Sequence, residues 1–358
     1  MVSADGGVGV CASGAVCDGH TGLCQTPAVC TATAPCSNAL VGVLPGTLKE
    51  PITIPECRTH ERNRPAFNDG APRLWKDPVN GQQRAACVFK SPAASPSSRR
   101  PLMIFLHGSG GSAQAIYDNT LLRSKAASFD LGDGPGFILA ADQGRNLAAS
   151  IKGRQASARH EFYDRNFATS PDVRNLDLLI DTLVSEGGVD PRRIYLTGWS
   201  NGAFFSQLYA LIRHQTPTPG GNRIAAVAVF DGADPLEAPT SETPSCAYRP
   251  YPRSSLPVFI AHRACSIVPC DAAQAGKKAP PGFDVRGWLG LLRGTIGATD
   301  VTELLLDHGG SSVSSCSRFC TGIQAILDHL RWPDGIADGS DIDREPEMLR
   351  YLAAHPLP

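Results

Sequence analysis

Arg193-Ile-Tyr-Leu-Thr197 leads directly into Gly198-Trp199-Ser200-Asn201-Gly202, and Ala203–Ile212 follows with Phe204, Leu208, Leu211 and Ile212 at helical spacing. The order is strand, G-x-S-x-G, helix. That context gives the motif its meaning, because a serine on a sharp strand-to-helix turn is lifted clear of the sheet's carboxyl edge. The two flanking glycines permit a turn that a Cβ would obstruct. Ser200 is therefore the candidate nucleophile, placed at a helix N-terminus.

Working outward, short apolar runs alternate with helical periodicity on both sides of this turn. Ala86–Lys90, Leu102–Leu106, Gly136–Ala140, Ile224–Phe230 and Pro257–Ala261 have strand length. Leu102-Met-Ile-Phe-Leu106 is apolar throughout, as expected of a central strand covered on both faces. Val173, Leu176, Leu179, Ile180 and Leu183 mark a helix, and Pro346–Ala354 a terminal one. Pro92–Arg100, rich in Pro and Ser, reads as a loop between two strands. Such alternation predicts an α/β domain with a mostly parallel sheet and helices on both faces.

A second glycine-rich stretch, His107-Gly108-Ser109-Gly110-Gly111, directly follows the apolar strand. Its backbone amides can face a ligand, and a transition-state oxyanion needs fixed donors of that kind. The expected pair is the amide of Ser109 (Gly110 if the register slips by one) and that of Asn201. No G-x-G-x-x-G with a following acidic residue is present, which argues against a dinucleotide cofactor. His107 reads as a structural residue of this loop rather than a base.

His107-Gly-Ser-Gly-Gly-Ser-Ala113 and Val189-Asp-Pro-Arg-Arg-Ile-Tyr-Leu-Thr-Gly-Trp-Ser-Asn-Gly-Ala203 resemble the secreted esterases of the polyhydroxybutyrate depolymerase and feruloyl esterase group. The resemblance spans roughly residues 83–358 and leaves out the N-terminus. It implies an α/β-hydrolase fold and hydrolysis of carboxylic esters by a Ser-His-Asp triad, with no metal or organic cofactor. His329, in His-Leu-Arg-Trp-Pro333, is similar to the family's His-x-Trp-Pro tail, while His308 follows the apolar run Leu304–Leu306 and is the alternative. The acid departs from the pattern. Family members carry His-Gly-x-x-Asp-x-x-Val-Pro, whereas this chain reads His262-Arg-Ala-Cys-Ser-Ile-Val-Pro269, one residue short. Asp271, just past that proline, is the first choice; Asp231 and Asp234, after the preceding strand, are the alternatives. Trp199 and Trp332, beside the nucleophile and the histidine, are candidate walls of an acyl or aromatic subsite.

Composition sets the outer limits. Of 358 residues, 42% are hydrophobic and 19% charged, enough apolar material for a large core and too much for wholesale disorder. A net charge of −1 offers nothing for a polyanion, so nucleic acid is not an expected partner. No apolar run is long enough to span a membrane. The twelve cysteines suggest an oxidising compartment and mostly paired thiols. Five of them (Cys11, Cys17, Cys24, Cys30 and Cys36) lie in residues 1–40, with five or six residues between neighbours, unlike the tight pairs of structural zinc sites. Residues 1–40 are expected to form a small disulfide-held appendage, 41–82 a Pro-rich extended connection, and 83–358 the catalytic domain. The opening Met-Val-Ser-Ala-Asp has no signal-peptide character, so export implies a leader already removed. The expected protein is a secreted monomer acting on an ester substrate, small or polymeric. Two other readings stay open: a serine peptidase, and a non-catalytic surface-binding protein that has lost its acid.

Overall fold

The computed structural model describes residues 51–147, 157–162, 167–168, 170–236, 252–276, 283–320, 322–337 and 339–358. The expected appendage at 1–40, with its five cysteines, lies outside them, as does Cys246. In chain order the elements are β1 (Arg73–Lys76), β2 (Gln83–Phe89), β3 (Arg100–Leu106), α1 (Ala115–Asp118), α2 (Leu122–Lys125), β4 (Ile138–Asp142), β5 (Arg145–Leu147) and β6 (Ser157–Arg159). Then come α3 (Pro171–Ser185), β7 (Val189–Trp199), α4 (Asn201–Gln215), β8 (Ala226–Phe230), β9 (Val258–Arg263), α5 (Ala272–Ala275), α6 (Val285–Leu291), β10 (Val301–Leu306), α7 (Gly322–His329) and α8 (Glu345–Ala353).

Eight strands form one sheet in the order β1-β2-β4-β3-β7-β8-β9-β10, parallel from β4 to β10 and antiparallel at β1 and β2. This arrangement fits the α/β-hydrolase fold. The period-2 geometry of a strand explains why β3 is apolar throughout. Leu102, Ile104 and Leu106 enter one core with α3, α4 and α6; Met103 and Phe105 enter the other with α1, α2 and α8. Each such side chain contributes about 1.5–3 kcal/mol by leaving water. Helix α3 starts where Ser170 Oγ accepts the Val173 amide and Pro171 fills the first turn.

One sequence expectation needs amending. Residues 41–82 were expected to be only an extended approach, yet Arg73–Lys76 pairs with β2 as the sheet's edge strand. Four residues long, with Leu74 and Trp75 between Arg73 and Lys76 and every second residue exposed, β1 lacks the apolar run that marks a buried strand. The approach is also bolted down, by the Cys57–Cys87 disulfide, by the buried Arg64–Asp334 ion pair, and by Asp69, which accepts from Arg123 and Tyr117.

Candidate active site

The carboxyl ends of β3, β7, β8 and β9 converge where β7 turns into α4. Ser200 occupies the turn with φ +54° and ψ −121°, a conformation that costs a non-glycine residue of order 1–3 kcal/mol. Its neighbours leave no other geometry. A Cβ on Gly202 would sit 1.9 Å from the Leu106 carbonyl oxygen, and one on Gly198 would sit 2.5 Å from the Gly202 carbonyl oxygen. Helix α4 therefore packs backbone to backbone against the end of β3, and Ser200 is pushed outward, half-buried, over the sheet edge.

The glycine-rich loop after β3 lies directly against this turn; a Cβ on Gly108 would come 3.2 Å from Ser200 Cβ. His107 beneath it is fully buried. Its Nε2 accepts the Gly144 amide at 3.0 Å, so the proton sits on Nδ1 and is donated to the Gly108 carbonyl at 2.7 Å. Burial, then the nearby His160, pushes the imidazole down to about 3. His107 is thus a neutral strut of the loop. The Gly110 amide is committed to the Ala158 carbonyl at 2.8 Å and that of Gly111 to Gly108 at 3.0 Å. Ser109 is exposed at the loop tip, and Asn201, first residue of α4, has no intrahelical acceptor for its amide. The Asn201 side chain is already spent: it accepts the His160 amide at 2.8 Å and donates to the His160 carbonyl at 2.9 Å.

His329 ends α7 and is buried. Its Nε2 lies 2.8 Å from Ser200 Oγ, and its Nδ1 lies 2.8 Å from Asp231 Oδ2. The Trp199 indole donates to the His329 carbonyl at 2.8 Å, tying the neighbour of Ser200 to the histidine's backbone. His308, the alternative histidine, is instead on the surface among Asp328, Gln324 and Arg331.

The carboxylate beside His329 is Asp231 and not Asp271. Asp231 follows β8 immediately, at φ +58°, with its amide donated to the Ala261 carbonyl of β9 at 2.9 Å. Asp271 is spent as the N-cap of α5, where Oδ1 accepts the Ala273 and Gln274 amides at 3.1 Å. It lines a cleft of about 530 Å³ with Ile267, Cys316 and Cys320, whose wall includes neither Ser200 nor His329. Asp234 turns away to the Leu236 amide. The tryptophans also differ from expectation. Trp332 is fully buried against Phe105, Phe230 and Trp199, with its indole donated to Glu345 Oε1, so it is core and not a subsite wall. Trp199 is 9% exposed and acts as a brace.

Two contributors escaped the sequence reading. The His160 backbone clamps Asn201 from a hairpin with no apolar signature, and Ser266 lies beside the Asp231–His329 pair, in reach of both. The disulfides Cys265–Cys320 and Cys270–Cys316 bind the loop after β9 to the segment leading into α7. Among the described residues, no group of three or more His, Cys, Asp or Glu could hold a metal ion, and no helix is long and apolar enough to cross a membrane.

No protein-family model matches the sequence, and neither does any curated protein. Similar solved structures include a thermostable esterase (14% identity, 84% of this chain and 70% of that one, TM-score 0.43). Others are the apo form of Thermogutta terrifontis esterase 2 (15%, 75% and 94%, TM-score 0.44) and an S-formylglutathione hydrolase from Agrobacterium tumefaciens (12%, 80% and 95%, TM-score 0.44). With TM-scores below 0.5, these likenesses carry none of the functional reading. The site geometry does.

Proposed function

We propose that the protein is a serine carboxylic-ester hydrolase whose catalytic residues are Ser200, His329 and Asp231. The observation that carries this reading is the continuous hydrogen-bond chain from Ser200 Oγ through the His329 ring to Asp231, mounted on a strained elbow. His329 Nε2 takes the Ser200 proton as Oγ attacks the ester carbonyl carbon. The amides of Ser109 and Asn201 hold the resulting oxyanion. His329 then gives the proton to the alcohol oxygen, the C–O bond breaks, and water hydrolyses the acyl-enzyme by the same route. Asp231 fixes the imidazole tautomer and stabilises the imidazolium.

Asp231 also removes the motive for the surface-binding alternative, which rested on an absent acid. For substrate, we favour apolar, aromatic or polymeric esters of the kind handled by polyester depolymerases and feruloyl esterases. The helix that carries His329 turns Ile323, Ile326 and Leu327 outward, with Leu330 exposed just past its end and Phe319, 88% exposed, ahead of its start. Exposed apolar groups clustered in this way mark a contact surface. Three disulfides among the described residues support export to an oxidising compartment.

A fluorophosphonate probe should label Ser200, and Ser200→Ala should abolish both labelling and hydrolysis of p-nitrophenyl esters, a loss on the order of 10⁶ in kcat. Failure of concentrated wild-type protein to label or to cleave any ester would refute the reading. Faster cleavage of peptide anilides than of esters would replace it with the peptidase.

A further inference from the structure

We propose that Ser266 is a positioning residue for His329. The proposal rests on the reading of Ser200, His329 and Asp231 as the catalytic residues. Ser266 is 5% exposed, in the loop that leaves β9, next to the disulfide-bonded Cys265. Its Oγ lies 2.5 Å from Asp231 Oδ2 and 3.3 Å from His329 Nδ1.

A hydroxyl has one proton to give and two lone pairs to accept with. A carboxylate only accepts, so the Ser266 proton goes to Asp231. The Val268 amide, 3.2 Å away, fills one lone pair. The remaining lone pair faces His329 Nδ1–H, which is then shared between Asp231 Oδ2 and Ser266 Oγ. Both oxygens come from the carboxyl ends of adjacent parallel strands, β8 and β9, and both reach the same ring nitrogen. The imidazole is therefore approached from two loops, one supplying charge and the other a neutral hydroxyl that also locks the charged group.

Two predictions separate this role from simple packing. Ser266→Ala should lower kcat about tenfold with KM within twofold, the size of one neutral hydrogen bond made useful in the transition state. It should also move the far-downfield proton resonance of His329 Nδ1–H, which requires no substrate. An unmoved resonance with kcat within twofold of wild type would overturn the positioning role. If the wild-type protein cleaves no ester, the esterase reading falls, while the resonance in Ser266→Ala still decides what holds the imidazole.

Discussion

The two halves of the site are held by different physics. On the nucleophile side, Ser200 and the loop after β3 are fixed by backbone packed on backbone, with glycines at the contacts. On the histidine side, Asp231, Ser266 and His329 come from three separate segments and are held by side-chain hydrogen bonds and two disulfides. The first half leaves no room for a Cβ at Gly198 or Gly202; the second depends on three segments meeting around one ring. A glycine-limited turn is encoded in a few consecutive residues, whereas a convergence of loops is encoded nowhere in particular.

The largest expected effect tests which loop supplies charge. Asp231→Asn should lower kcat by about 10⁴ with little change in KM, since the carboxylate acts mainly in the transition state. Asp271→Asn should change kcat less than threefold, because that residue caps α5. Equal losses in steady-state assays would return the acid to the β9 loop.

Next come the staples. Removing Cys265–Cys320 should cost about 3 kcal/mol in the chain-entropy account, because the nested Cys270–Cys316 already closes most of its 55-residue span, and removing Cys57–Cys87, which closes 30 residues, about 4 kcal/mol. Only the first should also lower kcat, severalfold, because Cys265 adjoins Ser266. Urea titration of the double alanine variants beside their ester kinetics checks both numbers, and a matching kcat loss in the Cys57–Cys87 variant would erase the contrast.

Gly202→Ala probes the rigid half. Its Cβ meets the Leu106 carbonyl at 1.9 Å, so α4 must back away from β3, at a cost of about 3 kcal/mol. Activity should fall with stability here, and a stable, active Gly202→Ala would show that the elbow has slack.

The smallest effect lies behind the histidine. Glu345 accepts from Trp332, Lys125 and the Leu121 amide. Burial pushes its carboxyl up to about 7, against the pull of Lys125. Between about pH 4.5 and 7 the folded protein keeps a proton that the unfolded chain releases, so this group's contribution to stability falls as pH rises across that window and levels off above it. Glu345→Gln should flatten that slope, a difference of at most about 3 kcal/mol between the two stability curves. Parallel curves would mean that Glu345 stays ionised throughout.

Why one half could be read and the other only partly follows from the same contrast. β3, β7 and α4 carry their periodicity and their glycines in sequence, so Ser200, its turn and the adjoining loop were legible. His329 was favoured by its order and flanking residues. The sequence names Asp231 only as an alternative to Asp271, because the choice between the ends of β8 and β9 depends on how two loops settle around one ring. A local signal did exist against Asp271: Gln274 follows three residues later, the spacing of a helix N-cap, and Gln274 Oε1 does accept the Cys270 amide. For Trp332, side-chain type alone could not separate a core residue from a subsite wall; the partner that buries it, Glu345, arrives from α8. Nothing in Ser157–Arg159 announced the hairpin whose continuation clamps Asn201.

Ser200 and His329 are separated by 129 residues, and Asp231 and His329 by 98. Contacts so distant in sequence form late, because the chain between them must first be ordered. A polypeptide emerging from the ribosome carries Ser200 before α7 has been made, and until then Ser200 lacks His329. Synthesis itself keeps the nucleophile disarmed, and any product broken off ahead of α7 carries the serine with nothing to activate it.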